Sequence, residues 1–371
     1  MPRMSAAAQR VLAPLRGVDS TPETPHRKAR RPVPRPCRRS DFDVTDTVQV
    51  SRPAAVREAV LELYSSTWPG APREVLERAL KDFESLFTGR MPGFLGVDTV
   101  YHDLQHSQDV VLAMARLLAG YERDPDGARL GAERGLVALI TALFHDSGYI
   151  RETGEAAIPN GAVFTRNHVS RSARFIARYL PAAGLAQWVP ISTRIVHFTG
   201  YEVPLDLLRV ADPRDRLAGH LLGTADMLAQ MADRCYLEKC RDRLYAEFVL
   251  GDVAVHAGAE GVKVLYGSGL DLLRQTPRFI ASTVDNRLGA AFRHSYRHLE
   301  PLYGGDNPYM NAIRQNVQYL KSLTRGSRWP MLRRNPPVFT VESNAMDGVR
   351  ALLVRHLKDL FGAPKVPVSA G

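Results

Sequence analysis

Apolar residues recur at spacings of three and four along most of this chain, and strict apolar–polar alternation is scarce, so the pattern predicts helix after helix. The first two helices fall at 53–65 and 71–88, each with a proline near its first turn, where the missing N–H costs nothing. Further helices are expected at 101–121, 135–146, 166–180, 185–197, 214–232 and 237–250, with Pro181, Gly200 and Gly251 as stops. After a stretch at 251–283 that carries several glycines and a short VKVLY run readable as strand or helix turn, helices resume at 286–299, 307–323 and 345–361. The expected fold is all-α. A core of about 95–250 follows packing helices at 51–94, and a mainly helical extension at 251–371 packs on it. A polar, glycine-containing loop from 148 to about 165 is long enough to act as a lid.

Composition narrows the class. With 371 residues, 45% hydrophobic and 24% charged, the chain can bury a sizeable core. No apolar run approaches the roughly 20 residues needed to cross a bilayer, and no compact signal segment opens the sequence, so a cytoplasmic protein without membrane insertion is expected. Cys37, Cys235 and Cys240 form no disulfide framework or zinc knuckle and read as reduced thiols. The net charge of +10 is concentrated at one end. Residues 1–40 hold ten Lys and Arg against two acids, leaving 39 basic and 37 acidic side chains for the remaining 331. Such a Pro-rich, apolar-poor stretch is expected to form a disordered tail over about 1–50, either simply solvated or making nonspecific contact with anionic surfaces or nucleic acid. Its Arg-rich, acid-poor start also has a weak transit-peptide character.

Against this background the stretch VALITALFHDSG at 137–148 stands out. It is apolar on every face and ends in His145 and Asp146. A carboxylate at the end of such a helix is costly unless it is paired or holds a cation. His102 and His106, four apart, would project from one face of a helix start, with Asp109 close enough to orient one of the rings. Farther on, GTADMLAQMA sets Asp226 among Ala, Met and Leu. Imidazoles and carboxylates together suit zinc, manganese, iron or, with more oxygen ligands, magnesium.

The order His106, His145-Asp146, Asp226 resembles the signature of the HD-domain metal-dependent phosphohydrolases, and YHDLQHSQDV is similar to the YHNxxHAxDV opening of cyclic nucleotide phosphodiesterase catalytic domains. The resemblance covers about 98–232. It implies an HD-type helical bundle in which His106, His145, Asp146 and Asp226 hold a divalent metal ion, and it makes His102 the general acid. The substrate it implies is a small-molecule phosphate ester, in the nearest relatives a nucleotide. His168 and His197 extend the order towards that of binuclear HD proteins, including di-iron oxygenases, and so are candidates for a second metal or for substrate. Departures are Asp103 where that family has Asn, Tyr149 where the phosphodiesterases have a third His, and no identifiable purine-selecting glutamine. A di-iron oxygenase and a non-catalytic metal-binding regulator are the alternatives. His220, six residues before Asp226, faces another way and reads as structural. His294 and His298 have no carboxylate pair nearby and also read as structural or surface groups. Arg171, Arg174 and Arg178 form a basic face, solvated or phosphate-steering, and Tyr303, Asp306, Asn307 and Tyr309 lie in a turn-rich loop.

Overall fold

The spacing of three and four becomes helix at nearly every place it predicts, because each helix has a neighbour against which to bury its apolar stripe. The computed structural model describes residues 39–124, 128–258 and 261–362, so the basic tail up to residue 38 lies outside the described residues. The fold is all-α apart from one small hairpin.

Helix α3 (Leu104–Glu122) is the axis: every residue from Leu104 to Tyr121 is buried except Asp109. Around it pack α1 (Pro53–Thr67), α4 (Ala132–Phe144), α7 (Pro213–Ala232) and a 3₁₀ segment, Ser295–Leu302. That last approach requires Gly120, since a Cβ there would lie 1.6 Å from the His298 carbonyl oxygen. Helix α2 (Glu74–Phe87) covers α4, with Phe83 meeting Phe144 edge-on at 6.3 Å between ring centroids. Prolines open α1 and α7, and Asp212 caps α7 by accepting from Arg214 N.

Helix α5 (His168–Ala182) packs on the turn that ends α4. The helix expected at 185–197 is divided into a 3₁₀ turn, α6 (Val189–Ile195) and a second 3₁₀ turn, Val196–Phe198. Helices α8 (Tyr236–Lys239) and α9 (Tyr245–Leu250) run on through a π turn, Cys240–Leu244. The stretch 251–283 holds two strands, β1 (Val255–Gly258) and β2 (Gly261–Val264), paired antiparallel, so the start of the VKVLY run is strand, and then α10 (Gly269–Ser282). The helix expected at 286–299 is interrupted. A π-helical segment, Thr283–Ala291, gives way at Arg293 and His294, both with positive φ, and the chain resumes as Ser295–Leu302. Leu288, Phe292 and Leu299 keep helical spacing and are all buried, so the pattern survives the break that separates them. Helix α11 (Pro308–Arg325) packs on α7, and α12 (Ala345–Gly362) on α9. Among the described residues no helix is long and apolar enough to cross a membrane.

One expectation, the extent of the tail, is corrected here. Residues 39–50, assigned to the tail, are fastened to the body, because Asp43 accepts from the backbone of Thr45, Thr47 and Val48 and pairs with the buried Arg116 at 2.8 Å. The loop after Gly148 is tied down too. Asp98 pairs with Arg151 at 2.7 Å and accepts from Gly161 N, while both Arg171 terminal nitrogens reach Glu155 at 2.7 Å.

Candidate metal centre

Four side chains from three helices converge at one end of α3. His106 stands on the first turn of α3, whose N-cap is Asp103, with its Oδ1 accepting from His106 N. His145 and Asp146 follow the last residue of α4, where the chain tightens into a 3₁₀ turn, Ser147–Tyr149. Asp226 projects from the middle of α7. The His106 Nε2 atom lies 3.4 Å from Asp146 Oδ2 and 3.5 Å from Asp226 Oδ1. His145 Nε2 lies 3.2 Å from Asp146 Oδ2 and 3.9 Å from Asp226 Oδ1.

The chemistry of this group fits a cation. His106, His145 and Asp146 are buried, and their ligand atoms lie within 4.8 Å of one another. The spacings are close to the roughly 3–3.5 Å expected between neighbouring ligands of an ion bound at about 2.1 Å. His145 Nε2 and Asp146 Oδ2 stand 3.2 Å apart as an ion pair, and neither has a further hydrogen-bond partner. Most buried polar atoms in folded proteins are paired, and although other buried side-chain atoms here, such as Trp68 Nε1 and Thr224 Oγ1, also lack a partner, these two stand side by side among potential ligands. The other ring nitrogen of His145, Nδ1, is 2.8 Å from the Ala142 carbonyl, which directs Nε2 into the group. Burial pushes Asp146 up, but the imidazoles of His145, His102 and His106 more than offset it and hold the carboxylate well below its ordinary range. Burial likewise disfavours a charged His145, but Asp146 and Asp226 raise it to about 9.

His102 stands outside α3, before its N-cap, so the expected one-turn helical pairing with His106 is corrected: their rings meet at 5.6 Å across the cap. Its Nδ1 lies 2.5 Å from Oε2 of Glu247, a fully buried carboxylate on α9 whose Oε1 accepts from the backbone of Tyr101 and His102. Burial opposes a charge on His102, but Glu247 overcomes it and the imidazole is raised above its ordinary value. The spacing of 145 residues hides Glu247 from sequence reading. The one local signal is an acid in an otherwise apolar helix, YAEFVL.

Tyr149 is buried and sandwiched between His102 and His168, with stacked centroids at 4.5 and 4.4 Å. His168 Nε2 lies 3.7 Å from Asp146 Oδ1, and burial, reinforced by His102, lowers its pKa. His197 is not brought to the group. It sits half-buried in the second 3₁₀ turn after α6, makes no ion pair with any of the four, and is pushed down by burial. Asp109 does not serve the imidazoles either. It lines a different, small cavity with Gln105, Asp43 and Tyr309, and burial raises it well above the ordinary range while Lys239 opposes. His220 packs between Phe198 and Phe292, away from the group. Arg171 and Arg178 are engaged by Glu155 and Glu152, and Asn307 caps α11.

The group opens into a cavity of about 640 Å³. His102, His106, Asp146, Tyr149, His168 and Asp226 form one end. The remaining wall comes largely from residues 199–202, α8, the π turn, α9, α10 and Val253, Leu265 and Tyr266, which flank the hairpin. No protein-family model and no curated protein matches this chain.

Proposed function

We propose that the chain is a metal-dependent phosphohydrolase of the HD-domain type, acting on a phosphodiester. One observation carries the reading: buried ligand atoms of His145 and Asp146 without hydrogen-bond partners face His106 and Asp226, beside an imidazole whose pKa Glu247 raises. His106, His145, Asp146 and Asp226 would hold a divalent ion. Such an ion supplies Lewis acidity, lowering the pKa of a water and neutralising charge on phosphoryl oxygens.

The chain's own residues supply the rest. His102, with Nδ1 held by Glu247, presents its other nitrogen as a proton donor to the departing oxygen. Tyr149 and His168 fix the plane of that ring by stacking, so the donor stays aimed without a covalent constraint. The di-iron alternative asks His168 and His197 to share a second ion, and only His168 stands beside Asp146. Hydrolysis is therefore the better-supported reading.

The test is elemental analysis of purified protein together with turnover of bis(p-nitrophenyl) phosphate. Asp146→Ala is expected to lose both metal and turnover. His102→Ala is expected to keep the metal and lose about 10²–10⁴-fold in kcat, the usual worth of general acid–base catalysis. A metal-loaded but inert native protein would sink the hydrolase reading in favour of a regulatory metal-binding module, and oxygen consumption by an iron-loaded protein would favour the oxygenase.

A further inference from the structure

A second cavity, of about 590 Å³, shares only Gly200 and Tyr201 with the one that holds the candidate ligands, and none of those four ligands lines it. Its wall comes from residues between Phe198 and Leu208, from Arg216 and His220 on α7, and from the π-helical segment Thr283–Ala291 with the Phe292 that follows it. Phe198 and Phe292 are buried, Val203, Leu205 and Leu208 are half-buried, and Tyr201 is 67% exposed. A concave, largely apolar space of roughly 300–1,000 Å³ is the usual form of a small-molecule site.

Arg287 gives this space its chemistry. The residue is only 7% exposed, yet no carboxylate of the described residues pairs with its guanidinium. Its Nη2 donates to the Phe198 and Gly200 carbonyls at 2.7 and 2.6 Å, which fixes the group in the wall. Its Nε is buried without a partner, and Nη1 makes no hydrogen bond among the described residues. The Tyr201 ring, with its centroid 4.1 Å from Cζ, and the Phe292 ring, at 5.5 Å, offset part of the cost of burying that charge. They do not supply the anion that a buried cation ordinarily has.

The other ionisable groups of the wall leave an excess of positive charge. Arg216 spends Nε and Nη2 on the Val210 carbonyl and has no carboxylate partner among the described residues. Asp206 is the one acid in the wall, and it is exposed. His220 adds no charge at neutral pH, because burial, helped by Arg293 and Arg216, pushes it down to about 4. Two guanidinium groups therefore face one carboxylate. The π-helical winding that carries Arg287 is itself uncommon and is found mostly at functional sites.

We propose that this second cavity is a binding site for an aromatic monocarboxylate, with the carboxylate against Arg287 and the ring among Phe198, Leu205 and Phe292. A flat carboxylate matches the guanidinium fork, and one negative charge matches the single excess cation. The site stands apart from the candidate metal centre and does not depend on the hydrolase reading.

The experiment is isothermal titration calorimetry of the full chain with 1-naphthoate, the uncharged 1-naphthamide and 1-naphthyl phosphate, before and after dialysis against a chelator. 1-Naphthoate is expected to bind one per chain, at least about tenfold tighter than the amide, the worth of a charge-assisted hydrogen bond, and equally well after chelation. Arg287→Gln should abolish the preference for the carboxylate. Because that change also touches the Phe198 and Gly200 carbonyls, Asp206→Asn at an exposed position is the second variant. It should tighten 1-naphthoate by roughly two- to fivefold at low salt and leave the amide unchanged. Equal affinities for carboxylate and amide, loss of 1-naphthoate binding on chelation, or an Asp206→Asn affinity identical to the native one would overturn the site. Tighter binding of the naphthyl phosphate after chelation would overturn the carboxylate as its ligand.

Discussion

Glu247 is the residue on which the proposed acid depends. Its carboxylate touches the His102 ring nitrogen and two backbone N–H groups, so in the proposed mechanism it would position His102 and raise its pKa without meeting substrate. Glu247→Gln keeps the shape and removes the charge that raises the imidazole. His102 then loses its proton at lower pH, and the alkaline limb of the kcat profile should move to lower pH while metal content stays at the native level. An unmoved limb would remove Glu247 from the mechanism. His220 makes a separate pH prediction. Burial, with Arg293 and Arg216 adding, lowers it to about 4. The unfolded chain takes up a proton near pH 6.5 that the folded protein refuses until about pH 4, so stability is present above 6.5 and drains away as pH falls through that window. Urea unfolding at pH 7 and pH 4.5 should show the native protein losing up to about 3 kcal/mol more than His220→Gln. Equal losses would show that the imidazole is not the acid-sensitive group.

Among the elements, the turn after α4 controls the geometry of the candidate metal centre. Gly148 sits against the first residue of α5, and a Cβ there would lie 1.8 Å from the His168 carbonyl oxygen and 2.8 Å from Arg171 Cβ. Gly148→Ala must push α5 away from Asp146, which is expected to cost about 1–3 kcal/mol in urea unfolding and to weaken metal retention. Gly154→Ala, with nothing within 4 Å of its added Cβ, is the control and should leave both unchanged. The helices were legible because apolar spacing survives even where the backbone breaks, as between Leu288 and Leu299. Helix α10 was not, since Gly269 and Pro277 mask its period. His106, His145, Asp146 and Asp226 could be picked out as polar groups in apolar company, a signal local to each helix. Glu247 could not, because its meeting with His102 needs a π turn and a contact across 145 residues. Asp109 misled for the complementary reason: proximity in sequence to His106 places it around the helix, over another cavity.

At the scale of the whole molecule, the candidate ligands tie together the start of α3, the end of α4 and the middle of α7. Those three helices pack on one another and carry much of the main apolar core, so an ion at their junction would act on the stability of the body. Without it, buried imidazoles and carboxylates must satisfy each other imperfectly, as the unpartnered atoms of His145 and Asp146 indicate. A ligand that binds only the folded state at a hundred times its dissociation constant adds about 2.7 kcal/mol. Dialysis against a chelator should therefore lower Tm by several degrees in calorimetry, and adding zinc or manganese back should restore it. Asp226→Asn, which keeps the side-chain volume but weakens the site, should show a smaller response to either treatment. If chelator and metal leave the native Tm unchanged while elemental analysis shows the ion coming and going, the ion is not held at the junction of these helices, and His106, His145, Asp146 and Asp226 would have to be explained as a buried ion-pair cluster.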